Sequence, residues 1–318
     1  MAQQQAQWIW MNGEIVPREQ ACVQVSAHAL HYGNGVFEGI RCYDSPDGPA
    51  LFRVDDHIDR LFASATVYEM KIPYSSDALV EAICEVVHRN RLRECYIRPL
   101  CFFAGHLAMH PVNDPIEVAI IALPFFEWTG KESKKKGIRV TISSWRKFSS
   151  SMVPTTAKGC GQYLNSLLAV QEATRRGYDE ALLLNSDNQI AEGPAENVFL
   201  VKDGTLLTND ERSSILPGIT RATVVKIARD LGLPVEICAL DLEKLYSADE
   251  AFLTGTAVEI VPVQEVDGRK IGSGVPGRIT ELIQESFQAA VTGHDGRYRG
   301  WLHPVPMGTG QAVTASGD

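Results

Sequence analysis

Two nearly continuous apolar runs, Tyr96 to Phe103 and Glu117 to Leu123, set the tightest limit on what this chain can become. Both are rich in β-branched and aromatic residues and read as central strands buried on both faces. Directly after them, from Pro124 to Lys136, the pattern breaks into proline, glycine and charge, which marks a connector between folding units. A length of 318 residues suits two domains. With 45% hydrophobic and 22% charged residues the composition is that of a globular protein with a substantial core.

The first unit mixes strands and helices. Trp8 to Met11 followed by Asn12-Gly13 reads as a strand and a tight turn, and Val36 to Tyr43 as another strand. Asp55 or Asp56 caps a helix through about Glu69, and Ser76 and Asp77 open a second with Leu79, Ile83, Val86 and Val87 at helical spacing. A mostly antiparallel sheet with two helices results. The second unit starts with a strand from about Ile138 to Ile142 and a helix from about Tyr163 to Arg176. Strands are expected at 181–184, 190–191, 198–201, 205–208 and 250–254, with helices from Pro217-Gly218 to about Leu231 and from about Arg278 to Val291. Lys202-Asp203-Gly204 is a hairpin turn. The expected division is 1–124, a connector at 125–136, 137–303, and a disordered tail at 304–318 rich in Gly, Thr, Ser and Ala.

Charge removes several function classes. A net charge of -9 argues against a nucleic-acid footprint, which needs clustered Lys and Arg. The dense run Lys134-Lys135-Lys136 reads as a solvated connector. No stretch has the roughly 20 apolar residues that span a bilayer, and the polar start lacks a signal layout, so the cytoplasm is the expected location. Seven scattered cysteines match neither a disulfide framework nor metal-ligand spacing, and no metal is expected.

Lys158 stands out by context, between Pro154-Thr155-Thr156-Ala157 and a Gly-x-Gly segment whose small residues admit something bulky near the backbone. A Schiff-base lysine needs such a confined site to lower its pKa. Taken alone, the peptide reads first as an exposed loop lysine. Leu216-Pro217-Gly218-Ile219-Thr220-Arg221 leaves N–H groups free at the positive end of a helix, where a phosphate belongs. Thr254-Gly255-Thr256-Ala257 is either a plain turn or a nest of donors for an anion. Glu192 and Glu196 flank Gly193-Pro194-Ala195, either as a solvated hairpin or with one carboxylate against the nitrogen of a cofactor ring.

In order along the chain, seven motifs resemble one family, the fold-type-IV pyridoxal-phosphate enzymes and within them the branched-chain amino-acid aminotransferases. They are His28-Ala-Leu-His-Tyr-Gly33, Val36-Phe-Glu-Gly-Ile-Arg41, Tyr96-Ile-Arg-Pro99, Ala157-Lys158 with Tyr163-Leu164, Ala191-Glu-Gly-Pro-Ala-Glu-Asn197, Leu216-Pro-Gly-Ile-Thr-Arg221 and Thr254-Gly-Thr-Ala257. The match runs from about Trp8 to Trp301. The resemblance implies an α/β (α+β) protein, a small N-terminal α/β sandwich domain followed by a larger pseudo-barrel domain, with pyridoxal 5'-phosphate between them. Lys158 would carry the cofactor and shuttle the proton, Glu192 would face the ring nitrogen, and Tyr163 would bond the ring O3′. Arg60, Gly218, Ile219, Thr220 and Thr256 would hold the phosphate. For Arg60 a surface pairing with Asp56 or Asp59 is the alternative.

The same resemblance implies substrate positions. Thr256 and Ala257 would take the α-carboxylate, Phe37 with its neighbours Gly39 and Arg41 would line an apolar pocket, and Arg98 and Tyr32 would meet the γ-carboxylate of glutamate, an interior salt bridge being the alternative for Arg98. Here the chain departs from the bacterial pattern, with Pro124-Phe125-Phe126-Glu127-Trp128 where a tyrosine is usual, so Phe125 and Trp128 are expected to favour bulkier side chains. The expected reaction moves the amino group of L-leucine, L-isoleucine or L-valine to 2-oxoglutarate. The partners are small molecules, neither nucleic acid nor a membrane, and the assembly a homodimer or a trimer of dimers completed by a neighbour's loop around His106 to Val112. The rivals are an (R)-amine or D-amino-acid transaminase, the aminodeoxychorismate lyase, and a non-catalytic binding protein on this scaffold.

Overall fold

The computed structural model describes residues 6–109, 114–125 and 130–306. Among those residues eight strands form one sheet and nine another. The first half contributes β1 (Trp8–Met11), β2 (Glu14–Pro17), α1 (His28–Tyr32), β3 (Gly35–Phe37), β4 (Ile40–Ser45), β5 (Gly48–Phe52), α2 (Val54–Val67), α3 (Ser76–Arg89), β6 (Cys95–Phe103) and β7 (Ile116–Pro124). These strands run antiparallel in the order β5-β4-β6-β7-β1-β2, with β3 also on β6. Asn12 and Gly13 join β1 to β2 with φ of 53° and 100°, the positive pair a two-residue hairpin requires.

Three expectations for this half change. The strand expected over Val36 to Tyr43 divides at Glu38-Gly39, although its register against β6 runs on unbroken from Phe37↔Leu100 to Ile40↔Ile97. That register sets Pro99 opposite Glu38. Glu38 N donates to Pro99 O, but proline has no N–H to return the bond, and the ladder lapses there. Second, β6 is not buried on both faces. Ile97, Pro99 and Cys101 are buried in the core under α2 and α3, whereas Tyr96, Arg98 and Leu100 are half-buried on the opposite face. Third, α2 starts at Val54 without an aspartate cap. Arg53, at φ 52°, precedes it and bonds Asp56, Thr223 and the Ile219 carbonyl.

The second half contains α4 (Gly130–Lys136), β8 (Ile138–Arg146), α5 (Tyr163–Arg175), β9 (Glu180–Leu184), β10 (Ile190–Glu192), β11 (Asn197–Lys202), β12 (Thr205–Thr208), α6 (Ile219–Asp230), β13 (Val235–Ile237), α7 (Leu242–Ser247), β14 (Glu250–Gly255), β15 (Glu259–Val266), β16 (Arg269–Lys270), α8 (Arg278–Val291) and β17 (Leu302–Pro304). Its sheet runs β10-β9-β8-β15-β14-β11-β12-β13, with β16 beside β15. Five steps separate β10 from β11 in that order, about 24 Å if the sheet were flat. The chain between Glu192 and Asn197 spans at most about 17 Å, and a bond from Gly193 N to Glu196 O tightens it further. The sheet therefore curls on itself, and this turn, carrying Glu192 and Glu196, closes the curl as the pseudo-barrel expectation requires.

β15 was not expected from the sequence because Pro262 interrupts its apolar run. Pro262 is tolerated because pairing with β8 starts one residue later, at Val263↔Ile138. Residues 130–136, inside the expected connector, form a helix, and Lys134 is not a solvated end but pairs with Glu259 at 2.7 Å. The halves are laced together once more by β17, which leaves the second half and pairs with β5 as the outer strand of the first sheet. No helix among the described residues is long and apolar enough to cross a membrane.

One contact here tests easily. Glu250 on β14 accepts from Ile279 N, Thr280 N and Thr280 Oγ1 at 3.1, 2.7 and 2.6 Å, and so caps the N-terminus of α8, whose own N-cap is Gly277. A carboxylate there satisfies orphan donors and complements the helix dipole. Glu250→Ala is expected to lower unfolding free energy by about 2–3 kcal/mol, read as a shift in denaturant midpoint; a loss under about 0.5 kcal/mol would show that water replaces the cap.

Candidate active site

The lysine peptide is docked from both ends. Lys158 N donates to Ser64 Oγ on α2 at 2.9 Å, Lys158 O accepts from Phe37 N at 3.1 Å, and Gly161 N donates to Gly33 O. The Gly-x-Gly segment does admit bulk, but from the protein itself. A Cβ on Gly159 would come within 2.4 Å of the Tyr68 hydroxyl, and one on Gly33 within 2.9 Å of the Gly161 backbone. The exposed-loop alternative for Lys158 is thereby removed. Its amine is enclosed and donates to Tyr163 Oη at 2.8 Å, 5.2 Å from the centroid of the Phe37 ring. Burial, helped by the nearby Arg60 guanidinium, pushes the Lys158 amine down to about 8. Burial also raises the Tyr163 phenol well above its usual range, so it stays protonated.

Lys158 sits in a cleft with about 860 Å³ of space, its open mouth included, and the turn that closes the curled sheet lies on one wall. Glu192, buried in that turn, accepts from Leu216 N at 2.9 Å through Oε2 and pairs with Lys147 Nζ at 2.5 Å through Oε1. Asn197 Nδ2 bridges the Leu216 carbonyl, at 3.0 Å, and Glu192, at 3.4 Å. Glu196 turns back to accept from Ala195 N at 3.0 Å, and burial pushes its carboxyl up to about 7. The solvated-hairpin reading of this turn is excluded, since both carboxylates are more than nine-tenths buried.

The opposite wall gathers donors. Gly218 is the N-cap of α6 with no side-chain cap, so the first N–H groups, those of Ile219 and Thr220, face the cleft that both residues line. Gly218 has no room for a Cβ, which would meet Asn197 Oδ1 at 2.0 Å. Arg60 projects from α2 to the same wall and donates to Pro217 O at 2.8 Å. Its partner is neither Asp56 nor Asp59 but Glu38, gripped through both carboxylate oxygens. Thr256 and Ala257 line the cleft after β14, and the buried hydroxyls of Thr155 and Thr254, also in the lining, have no partner among the described residues. A confined amine, a cationic helix end and orphaned hydroxyls fit a phosphorylated aldehyde of the expected kind.

Phe37, Gly39 and Arg98 form the rim, with Arg98 stacked 4.4 Å over the Phe37 ring and bonded to Tyr96 Oη at 2.8 Å. Three expected residues are not in this lining. Tyr32 is exposed and lies in a separate surface groove with Met109. Arg41, two residues beyond Gly39, is 1% exposed and is held outside the cleft lining by ion pairs with Glu94 and Glu259 at 2.8 and 3.3 Å. Phe125 stacks beneath that guanidinium at 3.2 Å. Trp128, residues 110–112 of the expected loop and the tail from 307 lie outside the described residues. Lys147, Tyr96 and Asn197 were missed as site residues. Tyr96 was readable, two positions before Arg98 on one strand face; Lys147, after the end of β8, gave no signal.

The amino-transferase class IV family model matches residues 35–266. The branched-chain-amino-acid aminotransferase of Salmonella typhimurium is 46% identical over 309 residues, covering 96% of this chain and 99% of its own. A solved branched-chain amino acid aminotransferase from T.th., with pyridoxamine 5'-phosphate, superposes with a TM-score of 0.92 at 46% identity, covering 95% of this chain and 99% of that one. The same T.th. enzyme complexed with N-(5'-phosphopyridoxyl)-L-glutamate gives a TM-score of 0.91 with the same coverage.

Proposed function

This chain belongs to the amino-transferase class IV family, and from that premise we propose that it is an L-branched-chain-amino-acid transaminase in which Lys158 carries pyridoxal 5'-phosphate. The observation that supports this most is the half-buried Lys158 amine, lying in one cleft with the Arg60–α6 wall and the Glu192 turn. When bound, the cofactor supplies an electron sink for the pair left when a substrate Cα loses its proton.

The residues divide the remaining work. Lys158 Nζ, shifted toward neutrality, would carry the proton between the substrate Cα and the cofactor's aldehyde carbon, C4′. Glu192 would face the ring nitrogen, and Tyr163 Oη, bonded to the Lys158 amine, would also hold the ring oxygen. Arg60, Thr256 and the N–H groups of Ile219 and Thr220, freed by Gly218, hold the phosphate. The backbone at Thr256 and Ala257 takes the α-carboxylate. Phe37 and Gly39 shape a pocket for leucine, isoleucine or valine, and Arg98, stacked on Phe37 and steadied by Tyr96, meets the second carboxylate of glutamate and 2-oxoglutarate at its rim. One pocket thus presents an apolar wall and a cation from neighbouring strand positions.

Exposed Leu30, Tyr32, Leu107 and Met109 gather around α1, tied to the loop by a bond between His28 Nε2 and Ala108 O. This apolar surface supports a homodimer, or three dimers together, in which Tyr32 and that loop serve a neighbour's cleft. Seven free thiols support a reducing, cytoplasmic setting. The test of the function is a panel with 2-oxoglutarate as acceptor, with L-leucine, D-alanine and (R)-1-phenylethylamine as donors. L-leucine is expected to give the highest kcat/KM; preference for either of the others moves the chain to a different branch of the family.

A further inference from the structure

We propose that Glu38 is a positioning residue for the cofactor phosphate, acting through Arg60 from behind the cleft wall. The inference rests on Arg60 as a phosphate ligand, the reading given above, and deepens it. Glu38 is fully buried, is absent from the cleft lining and takes no part in the proton transfers. Its Oε1 accepts from Arg60 Nε at 2.6 Å and its Oε2 from Arg60 Nη2 at 2.9 Å. Oε2 also accepts from Gly39 N at 3.2 Å and meets His57 Nδ1 at 2.7 Å. The carboxylate is itself clamped, so it can clamp in turn.

The geometry of the guanidinium carries the argument. Arginine has five N–H groups in one rigid plane. Two go to Glu38 and a third, on Nη1, goes to Pro217 O at 2.8 Å. Two remain, one on each terminal nitrogen, and their directions are fixed once the other three are bound. Pro217 directly precedes Gly218, the N-cap of α6. A carboxylate at the lapse between β3 and β4 therefore aligns a cation from α2 with a helix end from the other half of the chain, and both point their spare donors into one cleft. Burial alone would raise the Glu38 carboxyl, but Arg60 and His57 outweigh it and hold it well below the usual carboxylate range, so the clamp stays charged. Glutamine at this position would keep the shape but offer one acceptor where two are used.

The test compares two cofactors in the holoenzyme. Wild type, Glu38→Gln, Arg60→Lys and the double variant are loaded with pyridoxal 5'-phosphate or with pyridoxal, which lacks the phosphate, and the rate of cofactor loss on dilution is measured. Glu38→Gln is expected to speed loss of the phosphorylated cofactor about tenfold to a hundredfold, the usual effect of removing a group that orients a ligand, with pyridoxal changed less than about threefold. The double variant is expected to add little to Arg60→Lys, because both act through one group. If Glu38→Gln speeds loss of both cofactors equally, changes neither, or adds fully to Arg60→Lys, Glu38 has only a structural role. If Arg60→Lys itself does not distinguish the two cofactors while Glu38→Gln does, Arg60 is not the phosphate ligand and the reading beneath the proposal fails instead. Should Glu38→Gln not fold, Glu38→Asp keeps the charge on a shorter arm and is judged by the same selectivity.

Discussion

Lys158→Ala is expected to lower transamination of L-leucine by at least about 10⁴-fold, since in the proposed reaction it removes both the covalent attachment and the proton carrier. The fold should survive. Among the described residues the amine makes one side-chain hydrogen bond, to Tyr163, and its removal takes a group able to carry charge out of a confined site. Single-turnover kinetics beside a thermal melt separate the two effects, and added methylamine should return part of the proton-transfer rate. Activity within about tenfold of wild type would place the chemistry on another residue. The same amine predicts a pH profile. Burial disfavours its charged form, so the neutral fraction grows as pH rises through about 8, well below the usual range for a lysine. Capture of the cofactor by cofactor-free protein should accelerate across that window and level off above it.

Glu192→Gln is the second large change, and it is expected to damage rate and stability by separable routes. If Glu192 faces the ring nitrogen as proposed, losing its carboxylate should cost about 10²–10³-fold in kcat, the range for removing one fixed charge or donor at a reacting centre. It also strands Lys147, whose side chain is 9% exposed and has Glu192 as its ion-pair partner. Breaking a buried pair by deleting one member costs about 3–5 kcal/mol. Adding Lys147→Met should therefore restore most of the lost stability in denaturant titrations without restoring kcat. Recovery of both together would mean that Glu192 acts only as a counter-ion to Lys147.

Local chemistry was legible in the sequence where one residue type permits one conformation. Asn12-Gly13 and Asp203-Gly204 gave their hairpins through positive φ, and Pro217-Gly218 gave the start of α6. Lys158, Glu192 and the α6 terminus were read from motifs, and the structure brings them to one cleft. What stayed hidden depends on partners distant in sequence. Glu38 looked like one residue of an alternating strand, and its burial follows from Pro99 opposite and from Arg60 and His57 on α2. Arg41 shared a motif with Phe37, yet its fate is set by Glu94 and Glu259. Pro262 masked β15 because local pattern rules penalise proline without knowing where the neighbouring strand begins.

The return of Leu302–Pro304 to the edge strand β5 has a consequence for how the molecule is made. A ribosome releases the amino-terminal sheet long before the segment that covers its border exists, so β5 emerges with unsatisfied backbone groups that invite mispairing between nascent chains. That border is sealed only once the chain has been made through Pro304. Contact across so long a span slows maturation, and a transcript cut short before Leu302 would leave a product prone to stick to its copies rather than a smaller working enzyme.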